Sequence, residues 1–431
     1  MNSSELKSLI RSGGLDGKFA SLYEVSENDE RVPALRERWY NAVLSFEREF
    51  GEGRDVRLFS VPGRSEISGN HTDHQHGRVI AASITLDCIA VVSARDDSMV
   101  TVKSEGFAPD YVNIKKFTTP NPDRFFHSDA LVAGVVDGFR ANGYSVGGFD
   151  AYTTSNVLKG SGLSSSAAFE VMIGNILSHL YNGGEVSSEQ LAIIARYAEN
   201  VFFSKPCGLM DQMACAWGGL ITIDFENPDA PVTEGLDFSL TKHGYSLCIT
   251  DTGGNHTDLN DDYASVPAEM KSVANLLGHD VLRPVTYEEL LSNAAEVREK
   301  CGDRALLRAI HFVAENERVP VIVDALRRDD VDGFLAGIVA SGDSSFKYLQ
   351  NVYTTKDPSE QGLSVALAVT ERFLSGKRAA WRVHGGGFAG TIQAFLPNEY
   401  AAEYKALMDG IFGAGKCMEL RIRSVGATAV L

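Results

Sequence analysis

The sequence predicts an α+β fold, and three observations carry that prediction. Helical and extended patterns are intermixed along the chain, without the strict alternation of a doubly wound sheet. The helical stretches repeat apolar residues at three-to-four spacing, whereas the extended ones are runs rich in Ile, Val, Ala and Thr. The 431 residues are 44% hydrophobic and 23% charged, which suits two or three packed domains and excludes a mostly disordered chain.

Taken in order, Leu35, Trp39, Val43, Phe46 and Phe50 share one face of a helix that Gly51 and Gly53 break. Residues 56–61 form a short strand ended by Pro62-Gly63, and residues 79–93 supply one or two buried strands. Residues 149–156 read as a strand before a glycine turn. From Ser164 the pattern turns helical, with Ala167, Ala168, Val171, Met172, Leu177 and Leu180 on the apolar face and serines at the capping end. Further helices are expected at 188–202, 267–277, 305–316 and 364–374, and strands at 220–225, 245–251 and 391–395. A division near residue 225 is expected, although no linker or change of composition marks it.

Forty Lys+Arg against 57 Asp+Glu give a formal net charge of −17, a surface that repels a phosphodiester backbone. A local nest of amides can still hold a small phosphate on such a surface. Met1-Asn2-Ser3-Ser4-Glu5 lacks a signal-peptide pattern, and no apolar run approaches the ~20 residues that span a bilayer. Cysteines at 88, 207, 215, 248, 301 and 417 form neither a disulfide framework nor a CxxC pair. The expectation is a soluble, reduced, cytoplasmic protein without nucleic-acid or membrane partners.

Four segments carry chemistry. In Gly160-Ser161-Gly162-Leu163-Ser164-Ser165-Ser166-Ala167-Ala168, two glycines allow positive φ and close approach, and serines then open a helix. Free amides and the positive end of the helix dipole make a phosphate cradle, and a serine hydroxyl can reach Mg²⁺. The segment is neither a P-loop nor a dinucleotide fingerprint, and a serine-capped helix after a glycine turn would look the same. The second glycine cluster, His384-Gly385-Gly386-Gly387-Phe388-Ala389-Gly390, suits backbone packed against a ligand or a tight turn. Residues 63–77 crowd Arg64, Glu66, Asn70, His71, Asp73, His74 and His76 into a polar loop that suits a polyol; a zinc site from His71, Asp73, His74 and His76 is the competing reading. In the stretch from Glu199 to Met213, Pro206 and Gly208 bracket a turn before Asp211, which fits a catalyst or a helix cap. Cys207 fits a nucleophile or a small buried thiol.

The order of Arg64…His71-Thr72-Asp73, Gly162–Ala168, Cys207-Gly208-Leu209-Met210-Asp211-Gln212 and Gly385-Gly386-Gly387-Phe388 resembles the galactokinase family of GHMP small-molecule kinases. The resemblance runs from about Phe46 to Phe395, through Arg308-Ala309-Ile310-His311…Glu315…Arg318 and Trp381-Arg382. It implies an N-terminal α/β domain (1–225), a C-terminal ferredoxin-like domain (226–431) and an active site between them. It also implies phosphoryl transfer from ATP to the anomeric hydroxyl of a sugar. By its motifs Asp211 is the catalytic aspartate with Arg64 as partner, and Ser166 and Glu199 hold Mg²⁺. Glu66, Asn70, His71, Asp73, Gly208 and Tyr263 fall on the sugar side, and residues 160–167 on the ATP side.

Departures fall on the sugar side. Asn70 replaces the acidic residue that meets the sugar's C6 hydroxyl, and His74 replaces an aromatic one. Arg78 and Lys205 stand where apolar or small residues are usual, and Val266-Pro267 replace paired arginines. A galacturonate-type kinase is therefore the alternative within the family, with Arg78, His74 or His76 adding positive charge. A sensor that binds sugar and nucleotide without turnover is the alternative outside it.

Overall fold

The computed structural model describes residues 1–157, 162–205, 207–254 and 259–431. Its strands are β1 (Arg57–Ser68), β2 (Arg78–Arg95), β3 (Met99–Ser104), β4 (Asp110–Asn113), β5 (Gly148–Ser155) and β6 (Leu220–Asp224), followed by β7 (Val232–Leu236), β8 (Tyr245–Asp251), β9 (Ala380–His384), β10 (Thr391–Pro397), β11 (Cys417–Leu420) and β12 (Thr428–Ala429). The first seven and β12 form one sheet, in the order β12-β1-β2-β5-β3-β4 with β6 and β7 branching from β2. The branch arises because β2 is 18 residues long: residues 78–82 pair with β6 and residues 88–95 with β5. The second sheet is antiparallel, in the order β11-β8-β10-β9. Helices and sheets are mixed throughout, so the α+β expectation holds.

Both faces of the larger sheet are covered, which is why its strands read as apolar runs. Alternate residues serve different cores. Phe59, Val61, Ala90 and Val92 meet side chains from helices Ser128–Ala141, Ser165–Tyr181, Ser188–Tyr197 and Met210–Trp217. Leu58, Ile89 and Val91 meet Leu6, Phe19, Trp39, Val43 and Phe46 of the N-terminal helices. Each such buried side chain contributes about 1.5–3 kcal/mol. A third core joins the sheets: Ile67 and Ile80 pack with Val319, Ile322 and Ile338 and with Leu247 and Phe395.

Several boundaries differ from the sequence expectation. β1 does not end at Pro62-Gly63 but continues to Ser68, with a shift of register against β2 between Pro62 and Arg64. A bulge there accommodates the missing proline donor and re-aims Arg64. Helix Asn260–Leu276 begins well before Pro267, and helix Asp303–Arg327 continues through Pro320 instead of stopping near 316. Residues 79–93 lie in one strand, not two. Helix Ser188–Tyr197 passes into a π turn at Ala198–Phe202, the kind of irregularity that frequents functional sites. Among the described residues no helix is long and apolar enough to cross a membrane.

Candidate active site

Arg64, on the bulged strand β1, closes a fork on Asp211 at the start of helix Met210–Trp217. Its Nε and Nη2 donate to the two carboxylate oxygens at 2.7 Å each. Its Nη1 donates to the Gly162 carbonyl, and its backbone N–H donates to the Leu163 carbonyl at 3.1 Å. Ser164 Oγ donates to the same carboxylate. One guanidinium thus ties the acid to the glycine-serine loop. Burial alone would raise the Asp211 carboxyl, but the Arg64 charge and hydrogen bonds, then Ser164, bring it below the ordinary carboxylate range. Asp211 is therefore anionic at neutral pH, and 34% of its side chain stays exposed.

The loop turns at Gly162 (φ +72°) and at Ser164, whose φ of +60° puts it in the left-handed region just before helix Ser165–Tyr181. Leu163 and Ala167 are buried. Gly160 and Ser161 lie outside the described residues. Ser165 and Ser166 line the end of a cavity of about 540 Å³ whose other walls include Phe107, Phe126, Phe169 and Phe203. His384, from the second glycine cluster, backs the loop. Its Nδ1 meets Thr391 Oγ1 at 2.8 Å, and burial followed by the Arg64 charge pushes its imidazole down to about 3, so it is neutral.

A second acidic group lies beside Asp211. Glu199, on the π turn, accepts from Lys205 Nζ at 2.6 Å on Oε1 and from Gln212 Nε2 at 2.7 Å on Oε2. Gln212 also reaches Glu170 Oε2 at 3.2 Å, and Glu170 Oε1 is buried without a partner. Burial and then the Glu199 charge push the Glu170 carboxyl well above its ordinary value. Burial and the same carboxylate push the Cys207 thiol up, which removes thiolate character and with it the nucleophile reading.

The polar loop is divided between residues beside the two glycine segments and residues buried behind them. Asp73 and Gly208 come together: a Cβ on Gly208 would lie 2.7 Å from Asp73 Oδ2, so a larger residue there would displace the Asp73 carboxylate. His71 Nε2 lies 2.9 Å from the Gly386 carbonyl, and Tyr263 Oη donates to the Gly387 carbonyl at 2.9 Å. The two side chains flank the second glycine cluster. Asn70, expected to face the sugar, is fully buried instead. Its Nδ2 donates to Glu66 Oε1 (2.9 Å) and the Gly385 carbonyl (2.8 Å), and its Oδ1 accepts from Asn351 Nδ2 (2.9 Å) and Ser345 Oγ (3.2 Å). Every polar atom of that amide is occupied inside the wall. Glu66 is also buried, paired with Arg382 at 3.1 Å; burial raises its carboxyl, and Arg382 opposes the rise.

Arg78, proposed as a positive charge for an acidic sugar, is spent on Asp224 at 2.7 Å. His74 has both ring nitrogens buried without partners, and burial lowers its imidazole to about 4, so it is neutral. Among the described residues no group of three His, Cys, Asp or Glu side chains converges on a metal position, and the histidine cluster forms no zinc site.

Sequence reasoning gave no role to the residues that brace this loop. Glu315 Oε1 accepts from Ser68 Oγ at 3.0 Å and the Gly69 N–H at 2.9 Å, and Arg318 pairs with its other oxygen. Burial opposes that charge, but Arg318 and then His311 bring the Glu315 carboxyl down to about 2. His311 Nε2 donates to the Asn70 carbonyl at 2.9 Å, and Arg382 Nη1 donates to the Ile67 carbonyl at 3.0 Å. The signal was present in His311…Glu315…Arg318 at helical spacing, but its partners lie more than 200 residues away. The aromatic walls of the cavity carried no motif.

Residues 130–219 match the model of the GHMP kinases N terminal domain, and residues 44–94 match the galactokinase galactose-binding signature. The chain is 32% identical over 375 residues to a galactokinase of Streptomyces coelicolor, covering 85% of this chain and 92% of that one. It is 30% identical over 376 residues to a galactokinase of Homo sapiens, covering 85% and 90%. The structure of Lactococcus lactis galactokinase complexed with galactose superposes with a TM-score of 0.74 at 22% identity, over 89% of this chain and 98% of that one. A mevalonate kinase of Methanococcus jannaschii shares the fold more distantly, with a TM-score of 0.61 at 14% identity over 85% and 98%.

Proposed function

The chain belongs to the galactokinase family of GHMP kinases, and from that premise we propose that it transfers the γ-phosphoryl group of ATP to the anomeric hydroxyl of galactose, giving galactose 1-phosphate and ADP. The observation that supports this most is the Asp211 carboxylate, held anionic by the Arg64 fork and tied through Arg64 to the glycine-serine loop. Asp211 receives or orients the hydroxyl proton as the sugar oxygen bonds to phosphorus and the bridging oxygen leaves with ADP. Such a loose transfer needs alignment and charge neutralisation more than covalent help. Arg64 supplies both, because one side chain fixes the acid and the loop together.

In this proposal the backbone of residues 160–167, with Ser165 and Ser166, receives the triphosphate, and the aromatic-walled cavity receives the base. His71, Asp73, Gly208 and Tyr263 meet the sugar, while Glu66 and Asn70 hold their loop in shape from behind. Residues 1–225 form one domain and 226–431 the other, with β7 and β12 returning to the larger sheet. The setting is cytoplasmic.

Magnesium would be held by Ser166 and Glu199. The donors suit a hard cation, and an ammonium standing on Glu199 Oε1 marks that oxygen as a cation position. When bound, the ion offsets charge on the β- and γ-phosphates. Two of the three cations behind the galacturonate reading are withdrawn: Arg78 is paired with Asp224 and His74 is neutral, and Asn70 is fully buried. The sensor reading does not account for an intact Arg64–Asp211–Ser164 constellation. An ADP-release screen across hexoses, amino sugars and uronic acids tests the proposal. Turnover of galactose supports it; turnover confined to uronic acids, or absent throughout, overturns it.

A further inference from the structure

Lys205 departs from the small or apolar residue usual at its position, and the structure gives the departure a place in the site. Its ammonium lies 2.6 Å from Glu199 Oε1, and its backbone N–H donates to the Glu199 carbonyl at 3.0 Å. The two oxygens of Glu199 are thus held by unlike partners. Gln212, fully buried, holds Oε2 as a fixed neutral donor. Lys205 holds Oε1 as a cation on a flexible stem whose side chain is 53% exposed. The side chain can leave without opening a large cavity, because about half of it is already in solvent. A divalent ion bound at Glu199 Oε1 would meet the Lys205 ammonium already standing there.

We propose that Lys205 is a resident cation of the metal position: it competes with the divalent ion for Glu199, and when displaced it offers its charge to the nucleotide phosphates. The inference rests on the reading of Glu199 as the metal carboxylate. Arg64 pairs with Asp211 and Lys205 with Glu199, so each of these two carboxylates carries a counter-charge before nucleotide arrives. Arg64 is held on Asp211 and the Gly162 carbonyl, so Lys205 is the cation of this group left to meet the triphosphate. The consequence is nucleotide binding that depends less on divalent metal than it would with a small residue at this position.

The test is calorimetric binding of the non-hydrolysable analogue AMP-PNP to the whole protein, in EDTA and in saturating Mg²⁺. The quantity read is the ratio of the two Kd values. Lys205→Met should weaken metal-free binding far more than it changes the metal-loaded complex, where relief of competition and loss of the phosphate contact oppose each other, raising the ratio at least ~10-fold, the equivalent of about 1.4 kcal/mol. Lys205→Arg should keep the ratio near that of the parent, since a guanidinium can also hold Oε1. Glu199→Gln should bring the ratio toward one. If Glu199→Gln lowers the ratio but Lys205→Met leaves it unchanged or lowers it, the role of Lys205 is wrong and the metal position stands. If Glu199→Gln changes nothing, the metal position itself is wrong. Melting curves of each variant confirm that the folded protein is being measured.

Discussion

Asn70→Asp should unfold the protein more readily instead of changing which sugar it takes. The asparagine is fully buried, and its Nδ2 lies 2.9 Å from Glu66 Oε1. An aspartate would place a second carboxylate oxygen at that distance. If both stayed ionised, the repulsion would be about 6 kcal/mol at an effective dielectric of about 20. Protonating one of them at pH 7, from an ordinary pKa near 4, costs about 4 kcal/mol. The cheaper route sets the outcome, and burial has already raised the Glu66 carboxyl, so the expected loss is no more than about 4 kcal/mol. The loss should shrink toward pH 5, where the shared proton is cheaper to bind. Urea unfolding at pH 7 and pH 5, with the galactose KM measured beside it, reads both effects. Stability within about 1 kcal/mol of the parent, combined with a galactose KM raised ~10-fold, would refute the reasoning and return Asn70 to the sugar face.

Other expectations follow from the same geometry. Gly208→Ala should raise the galactose KM about tenfold with the ATP KM unchanged, because the added Cβ would meet Asp73 Oδ2 at 2.7 Å; steady-state kinetics on both substrates reads it. Ser164→Ala removes a hydroxyl from the Asp211 carboxylate, and one charge-assisted bond at about 1.5 kcal/mol is roughly a tenfold fall in kcat/KM. Glu315 has a folded pKa near 2 against an ordinary 4.5, so its contribution, about 3 kcal/mol, is complete above pH 4.5 and is lost as pH falls toward 2. Urea unfolding between pH 6 and pH 3 should show that loss in the parent, and Glu315→Gln should flatten it.

The parts of the site legible in the sequence are those whose chemistry is local. Gly162 and the serines announce a turn and a helix start within seven residues, and Gly208 and Asp211 share one short stretch. Asn70 was misplaced because its burial is decided by Gly385 and Asn351, far along the chain, and no local pattern carries that information. The prolines misled in a consistent way. Pro62 and Pro267 each stand at an expected boundary, yet a bulge carries β1 past the first and helix Asn260–Leu276 continues through the second; helix Asp303–Arg327 likewise outruns its expected end near 316. Tertiary packing outweighed the local cost in all three. The fold class survived these errors because it depends on the mixture of periods along the chain, not on where any one element stops.

ADP release with galactose as acceptor, compared between the parent chain and Asp211→Asn, tests the central claim most directly. The amide keeps the shape and one of the two Arg64 bonds, but it loses the charge and cannot take the hydroxyl proton. The expected result is a fall in kcat of at least ~10³-fold, with galactose affinity by calorimetry within about threefold of the parent. Near-normal kcat in Asp211→Asn, or a parent chain that binds galactose and ATP without releasing ADP, would contradict it.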